Sequence, residues 1–317
     1  MPVRALVLAA MLAAAFGTAG CSMRRFAVNR IGDALAAGGS TFETDNDVEL
    51  VGDALPFGLK LIESLLAESP QHEGLLLAAC RGFTLYAYGY VQQEADRAAS
   101  EDLDRSNQLR RRARRLFERA SGYGFRALEK RYPGMRQALE KDPVQALRVV
   151  RDPRHVPLLY WNAAALGLAI SAARGDAQML ARLPEVEALI DRALALDERW
   201  NDGAIHEFQL IYASTRPGAG GFDAARVRKH FERAVELGGG KKASAFVGFA
   251  ESVLVREQNR AEFRRMLERA LEIDPDKDER TRLMNLIAQR RARWLLGRID
   301  ELFFEEEEAR EEKEVGK

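Results

Sequence analysis

The stretch GAIHEFQLIYASTRPGAGG, Gly203 to Gly221, sets His206 beside Glu207 in the order of a zinc-protease helix. That motif needs a second histidine one turn later. Both imidazoles then share a face and hold zinc while the glutamate serves as general base. Here the second position is Leu210, and His72, His155 and His230 lack the spacing to supply further ligands. The reading is therefore no metal and no cofactor. His206 is then either a buried, hydrogen-bonded side chain or one that lines a groove. The glycines that follow, in RPGAGGFD (216–223), have neither the preceding strand nor the lysine-serine pair of a phosphate-cradling loop. They fit a tight turn, with Asp223 capping the next helix. Asn201 or Asp202 can cap the helix that carries His206. Along that helix Ala204, Ile205, Phe208, Ile211 and Tyr212 form one apolar stripe, with His206 opposite.

Aromatic and basic runs are the other candidates. RGFTLYAYGYVQ (81–92) puts Phe83, Tyr86 and Tyr90 on one helical face and Tyr88 on another. Such aromatics pack a core, or they form a groove or interface where each hydroxyl finds a partner. Tyr160 and Trp161, in LLYWNAAAL (158–166), invite the same two readings. RSNQLRRRARRLFERA (105–120) keeps a core stripe of Leu109, Ala113, Leu116, Phe117 and Ala120 beneath its arginines. Those arginines cover apolar neighbours and pair with acidic helices, or they meet an anionic surface. No Ser-His-Asp set and no carboxylate pair stands out, so no catalytic residue is assigned. Glu207 alone does not make a glycosidase.

The elements that must position these residues are helices. The 317-residue chain is 47% hydrophobic and 30% charged, with 48 basic and 48 acidic residues. Balanced charge gives no electrostatic case for nucleic acid. ESLLAESP from Glu63, DRALALDE from Asp191, ERAVELGG from Glu232 and ERALEIDP from Glu268 resemble one another. Each has a charged start, a small or apolar residue two on (Leu65, Ala193, Ala234, Ala270) and a helix end. They are similar to the second helix of a tetratricopeptide repeat. The last three begin 41 and 36 residues apart, near that repeat's period of about 34. RRLFERASGYG around Glu118 fits as a further copy. The expectation is an all-α fold of five or six tetratricopeptide-like hairpins stacked as a curved α-solenoid over 46–303. Loops at 36–47 and a linker at 130–156, with Pro133, Pro143 and Pro153, interrupt it, and an acidic tail occupies 304–317.

Residues 1–20 have the pattern of a secretory signal peptide. Ala19, Gly20 and Cys21 resemble the bacterial lipobox, with Thr18 where leucine is usual. A lipidated Cys21 would open residues 21–45 as an anchor and linker, since acyl chains hold a protein to a membrane. Resemblance to proteobacterial lipoproteins makes Ser22 a sign of outer-membrane sorting. Cys80, in an apolar run, is then a lone core thiol.

VGDALPFGLKLIESLLAESPQHEGLLLAAC (51–80), GAIHEFQL (203–210), HFERAVELGGGKKASAFVGFAESV (230–253) and NLIAQRRARWLLGRIDELF (285–303) together resemble the T component of TRAP-associated transport systems. The resemblance implies an all-helical periplasmic lipoprotein and a homotrimer around a central opening. It also implies a partner in the periplasmic substrate-binding (P) component of a tripartite ATP-independent transporter. Ligand, hydrophobic or carboxylate-bearing, would pass onward. By position in these phrases, His206 and Glu207 are candidates for a groove or trimer interface, and Lys241 and Lys242 for anion or partner contacts. The alternatives are a general envelope scaffold and, on isolated acids alone, a cell-wall enzyme.

Overall fold

The computed structural model describes residues 28–35, 40–173, 175–215 and 222–304. The expected signal peptide, Cys21, the glycine run 216–221 and the acidic tail from residue 305 lie outside them. Among the described residues every regular element is helical. In chain order they are α1 (28–35), α2 (Ser40–Glu43), α3 (Val48–Glu68), α4 (Glu73–Tyr86), α5 (Gln93–Ala98), α6 (Leu103–Arg131), α7 (Met135–Lys141), α8 (Pro143–Ala146) and α9 (Val156–Ala172). There follow α10 (Ala177–Leu180), α11 (Leu183–Leu196), α12 (Ala204–Thr215), α13 (Ala224–Leu237), α14 (Ala243–Phe249), α15 (Arg260–Leu271), α16 (Arg282–Gly297) and α17 (Ile299–Leu302). A π turn over Ala87–Gln92 joins α4 to α5, and another, Ala250–Leu254, extends α14.

The four similar stretches all end helices: α3 at Glu68, α11 at Leu196, α13 at Leu237 and α15 at Leu271. Ala193, Ala234 and Ala270 are fully buried there, where a larger side chain would hold the paired helix away. Asp223 caps α13, its carboxylate accepting from the Arg226 N–H. Among the described residues consecutive helices pack as pairs: α3 on α4, α4–α5 on α6, α9 on α11, α12 on α13, and α14 on α15. The segment around Glu118 does not close a repeat, because α6 runs on to Arg131. Gly124 inside it is a contact point instead of a stop. A Cβ there would lie 2.6 Å from Asn162 Oδ1 and 2.8 Å from Cys80 Sγ. Cys80 is a buried core thiol, and its pKa is pushed up to about 12 by desolvation.

The stack closes on itself. α4, α9, α12, α14 and α16 form an inner set in which each touches the next. α16 then returns to the start of the chain. Leu283 and Ile287 pack with Val48 and Val51 of α3, and Ile287 reaches Gly89. Arg282 donates to the Thr44 carbonyl 238 residues away. Each apolar side chain buried in this seam contributes roughly 1.5–3 kcal/mol. Two larger cores fill the rest, and α12 joins them, with Ile205 in the first and Leu210 in the second. No helix of the described residues is long and apolar enough to cross a membrane.

Candidate functional site

The inner helices bring one group of side chains together. The π turn inserts an extra residue between α4 and α5. Tyr86 and Tyr90 stack on one another at 5.8 Å, while Tyr88 turns the other way, into the ring. Tyr88 keeps 36% of its surface open. Desolvation nonetheless pushes its phenol up to about 12, with the nearby charge of Glu251 adding to the shift. Open surface deep among protein atoms marks a recess. Tyr160 of α9 faces the same space. Its phenol is also raised, first by desolvation and then by Glu207 and Tyr88. Among the described residues neither hydroxyl has a hydrogen-bond partner within the protein. The Tyr160 ring rests on Trp161, Trp200 and Phe208, at 5.1, 4.7 and 6.3 Å.

Glu207 of α12 supplies the carboxylate. Ser244 Oγ donates to its Oε2 at 2.5 Å, and Lys242 Nζ lies 3.0 Å from Oε1. Oε1 is buried and has no aligned hydrogen bond despite that ion pair, so it keeps acceptor capacity. Ile211, one turn along the same face, is 38% exposed. Arg291 of α16 closes the ring on this level. It binds Glu251 at 2.6 Å and Asp96 at 3.0 Å and lies over the Trp294 ring. The recess thus combines apolar rings, two phenols, a carboxylate and cations that carboxylates already hold. Such a surface binds and orients.

His206 points elsewhere. It is buried between α12 and α13, with Nδ1 2.9 Å from His230 Nδ1 and Nε2 3.1 Å from Glu198. Arg233 grips Glu198 through two nitrogens and, with His206, holds that carboxyl down at about 2. Glu198 is therefore ionised and only accepts, which puts the hydrogen on His206 Nε2. His206 Nδ1 then accepts from His230 Nδ1–H. Desolvation lowers the pKa of both imidazoles, His230 to about 4 with His206 as a further cause. The two histidines and Glu198 do not converge on a point. Among the described residues no group of three or more His, Cys, Asp or Glu is placed to hold a metal ion.

The other sequence candidates scatter. Tyr86 is buried against α6, and its hydroxyl accepts from Arg112 Nη2. Tyr90 packs on Gly52 with its hydroxyl unpaired. Trp161 lies under Arg81. Lys242 is tied to Glu207 and to the Asn201 carbonyl, whereas the Lys241 side chain is exposed. Two local expectations change. Asn201 and Asp202 do not cap α12. Both are left-handed, with φ of 48° and 53°, in a 3₁₀ turn over Trp200–Gly203. The buried face of α12 is Ala204, Ile205, His206, Gln209 and Leu210, with Ile211 open, because helices flank α12 on two sides and bury more than one stripe. Tyr88, Asp96, Glu251 and Arg291 were not among the sequence candidates. The signal for Tyr88 was there, as the one aromatic off the shared face.

A family model described as TRAP transporter T-component matches residues 44–303. The chain belongs to the TRAP transporter T-component family. A protein of Treponema pallidum (strain Nichols), described only as uncharacterized, is 28% identical over 308 residues, covering 90% of this chain and 94% of its own. The matched span begins just before α3 and ends after α17, so it takes in every hairpin of this T-component and the whole inner ring. Membership assigns it an accessory role in TRAP transport rather than a catalytic one.

Proposed function

We propose that this T-component is a periplasmic lipoprotein, anchored through Cys21 in the outer membrane. It binds the substrate-binding (P) component, works as a homotrimer, and passes ligand through the ring recess. The observation that carries the ligand role is the pair of phenols, Tyr88 and Tyr160, whose hydroxyls lack protein partners while desolvation raises both. A phenol that opens onto the recess and makes no bond within the protein is available to a partner from outside it. A ligand with an apolar body and a polar head supplies one, with Ile211 and Phe208 beside its body. Glu207 and Lys242 are the residues we assign to orienting it. His206 keeps the α12–α13 joint in register beneath them.

Native mass spectrometry of the full chain, alone and mixed with the P component, tests this reading. We expect a trimer mass and a further peak adding P component. A monomer that never takes up P component, under conditions where the P component binds its own solute, sinks it. Recovery of outer-membrane assembly proteins in place of any transporter component would favour the scaffold alternative.

A further inference from the structure

The turn between α3 and α4 carries two features side by side. His72 holds α1 there, its Nε2 3.2 Å from the Asn29 carbonyl and 3.3 Å from the Asp33 carboxylate. Gly32 of α1 lies against Leu75 so closely that a Cβ would come within 2.9 Å of it. The residues just before His72, Pro70 and Gln71, line a cleft of about 440 Å³ whose other wall is the end of α6 and the start of α7. Three cations stand on that wall: Arg126, Lys130 and Arg136. Arg126 is fixed by donating to the Pro70 carbonyl and by stacking on Tyr123. Arg136 is fixed over the Phe125 ring. Lys130 has no ion pair among the described residues. The one carboxylate in the cleft, Glu129, already accepts from the Gly134 and Arg136 N–H groups.

Chain length ties this end to the membrane. Six residues, 22–27, separate Cys21 from Val28, and the seven Cα–Cα steps span at most about 25 Å when extended. Arg24 and Arg25 lie within it. Resting on the anchor at Cys21 proposed above, we propose that the Arg126–Lys130–Arg136 cleft docks the headgroup of an anionic phospholipid. A phosphodiester offers oxygens to guanidinium forks and to a mobile ammonium, and an anionic leaflet concentrates such groups within about 10 Å of its surface. Docking there fixes which end of the ring faces the membrane.

The test uses the full, acylated protein in vesicles of phosphatidylcholine, with or without phosphatidylglycerol. An amine-acylating reagent is applied and each lysine is followed by peptide mass spectrometry. Lys130 reacts about tenfold more slowly when phosphatidylglycerol is present, while exposed Lys141 slows far less. Arg136→Glu restores the Lys130 rate with the protein still vesicle-bound. Arg111→Glu makes the same charge change about 28 Å away along α6 and leaves the protection intact. Equal slowing of Lys130 and Lys141, or none, overturns the proposal on anchored protein. So does equal protection by inorganic phosphate on phosphatidylcholine vesicles, which assigns the cleft to free anions. Failure to float with any vesicle removes the anchor itself, and is recognised because flotation fails rather than the footprint.

Discussion

His206 and Glu207 are adjacent in sequence and belong to different regions of the molecule. His206 lies in a closed joint between α12 and α13, where Glu198, His230 and Arg233 complete its bonds. Glu207 faces the ring recess, with an oxygen that lacks an aligned donor. The 100° step of a helix separates the two. The joint fixes geometry and the recess keeps unfilled bonding capacity. Substitutions should therefore divide, with losses of stability at the joint and losses of binding at the recess.

The largest stability effect is expected at Gly203, where the joint is tightest. Its φ is +85°, and a Cβ there would lie 3.0 Å from Leu237 Cβ and 3.3 Å from the Ala234 backbone. Left-handed strain and overpacking act together in Gly203→Val, for a loss of about 3 kcal/mol. Urea unfolding followed by circular dichroism measures it. A change near zero would mean that the joint yields and does not fix α12 against α13.

The ion pairs of α16 come next. Arg291→Met leaves Asp96 and Glu251 facing each other without their shared cation. Removing one partner of a buried ion pair costs 3–5 kcal/mol, and with the Arg291 side chain 16% exposed about 2 kcal/mol is expected. Arg290→Met, which breaks a solvent-exposed pair with Glu49, should cost less than about 0.5 kcal/mol. Equal effects in the two variants would deny Arg291 its special place in closing the ring.

These two sites also show what the sequence could carry. Helix ends at Glu68, Leu196, Leu237 and Leu271, the Asp223 cap and the buried Cys80 were all legible, because each depends on a few consecutive residues. The closed ring was not. Its seam joins α2 and α3 to α16, and apolar periodicity carries no information about which distant helix covers a face. The π turn at Ala87–Gln92 was invisible for a related reason. One inserted residue re-aims Tyr88 without altering the hydrophobic pattern. The His206–His230 contact was equally hidden, since the two residues are 24 apart and on different helices.

A smaller effect separates joint from recess by pH. His230 is held neutral by burial, with its pKa lowered to about 4, and His206 is lowered as well. A base with a depressed folded pKa lends stability that is present above its ordinary value of about 6.5 and is lost as pH falls toward the folded value. The melting temperature should therefore drop by a few degrees between about pH 6.5 and 4. Much of that slope should vanish in His230→Gln, which keeps a side-chain amide and does not titrate. An unchanged slope would place the acid-sensitive group elsewhere.

A small stability change and the most informative functional one belong together in Glu207→Gln. The amide keeps the shape and still accepts from Ser244, while the ion pair with Lys242 is lost. Lys242 retains the Asn201 carbonyl, so unfolding should shift by less than about 1 kcal/mol. If the recess handles ligand, solute uptake through the TRAP system should fall several-fold in cells carrying Glu207→Gln, and the P component should still be retained. Gly203→Val, tested beside it, should lose protein in proportion to its instability and show no separate defect per folded molecule. Normal uptake with Glu207→Gln would reduce the recess to another joint, and the contrast between the two neighbours would then be one of exposure alone.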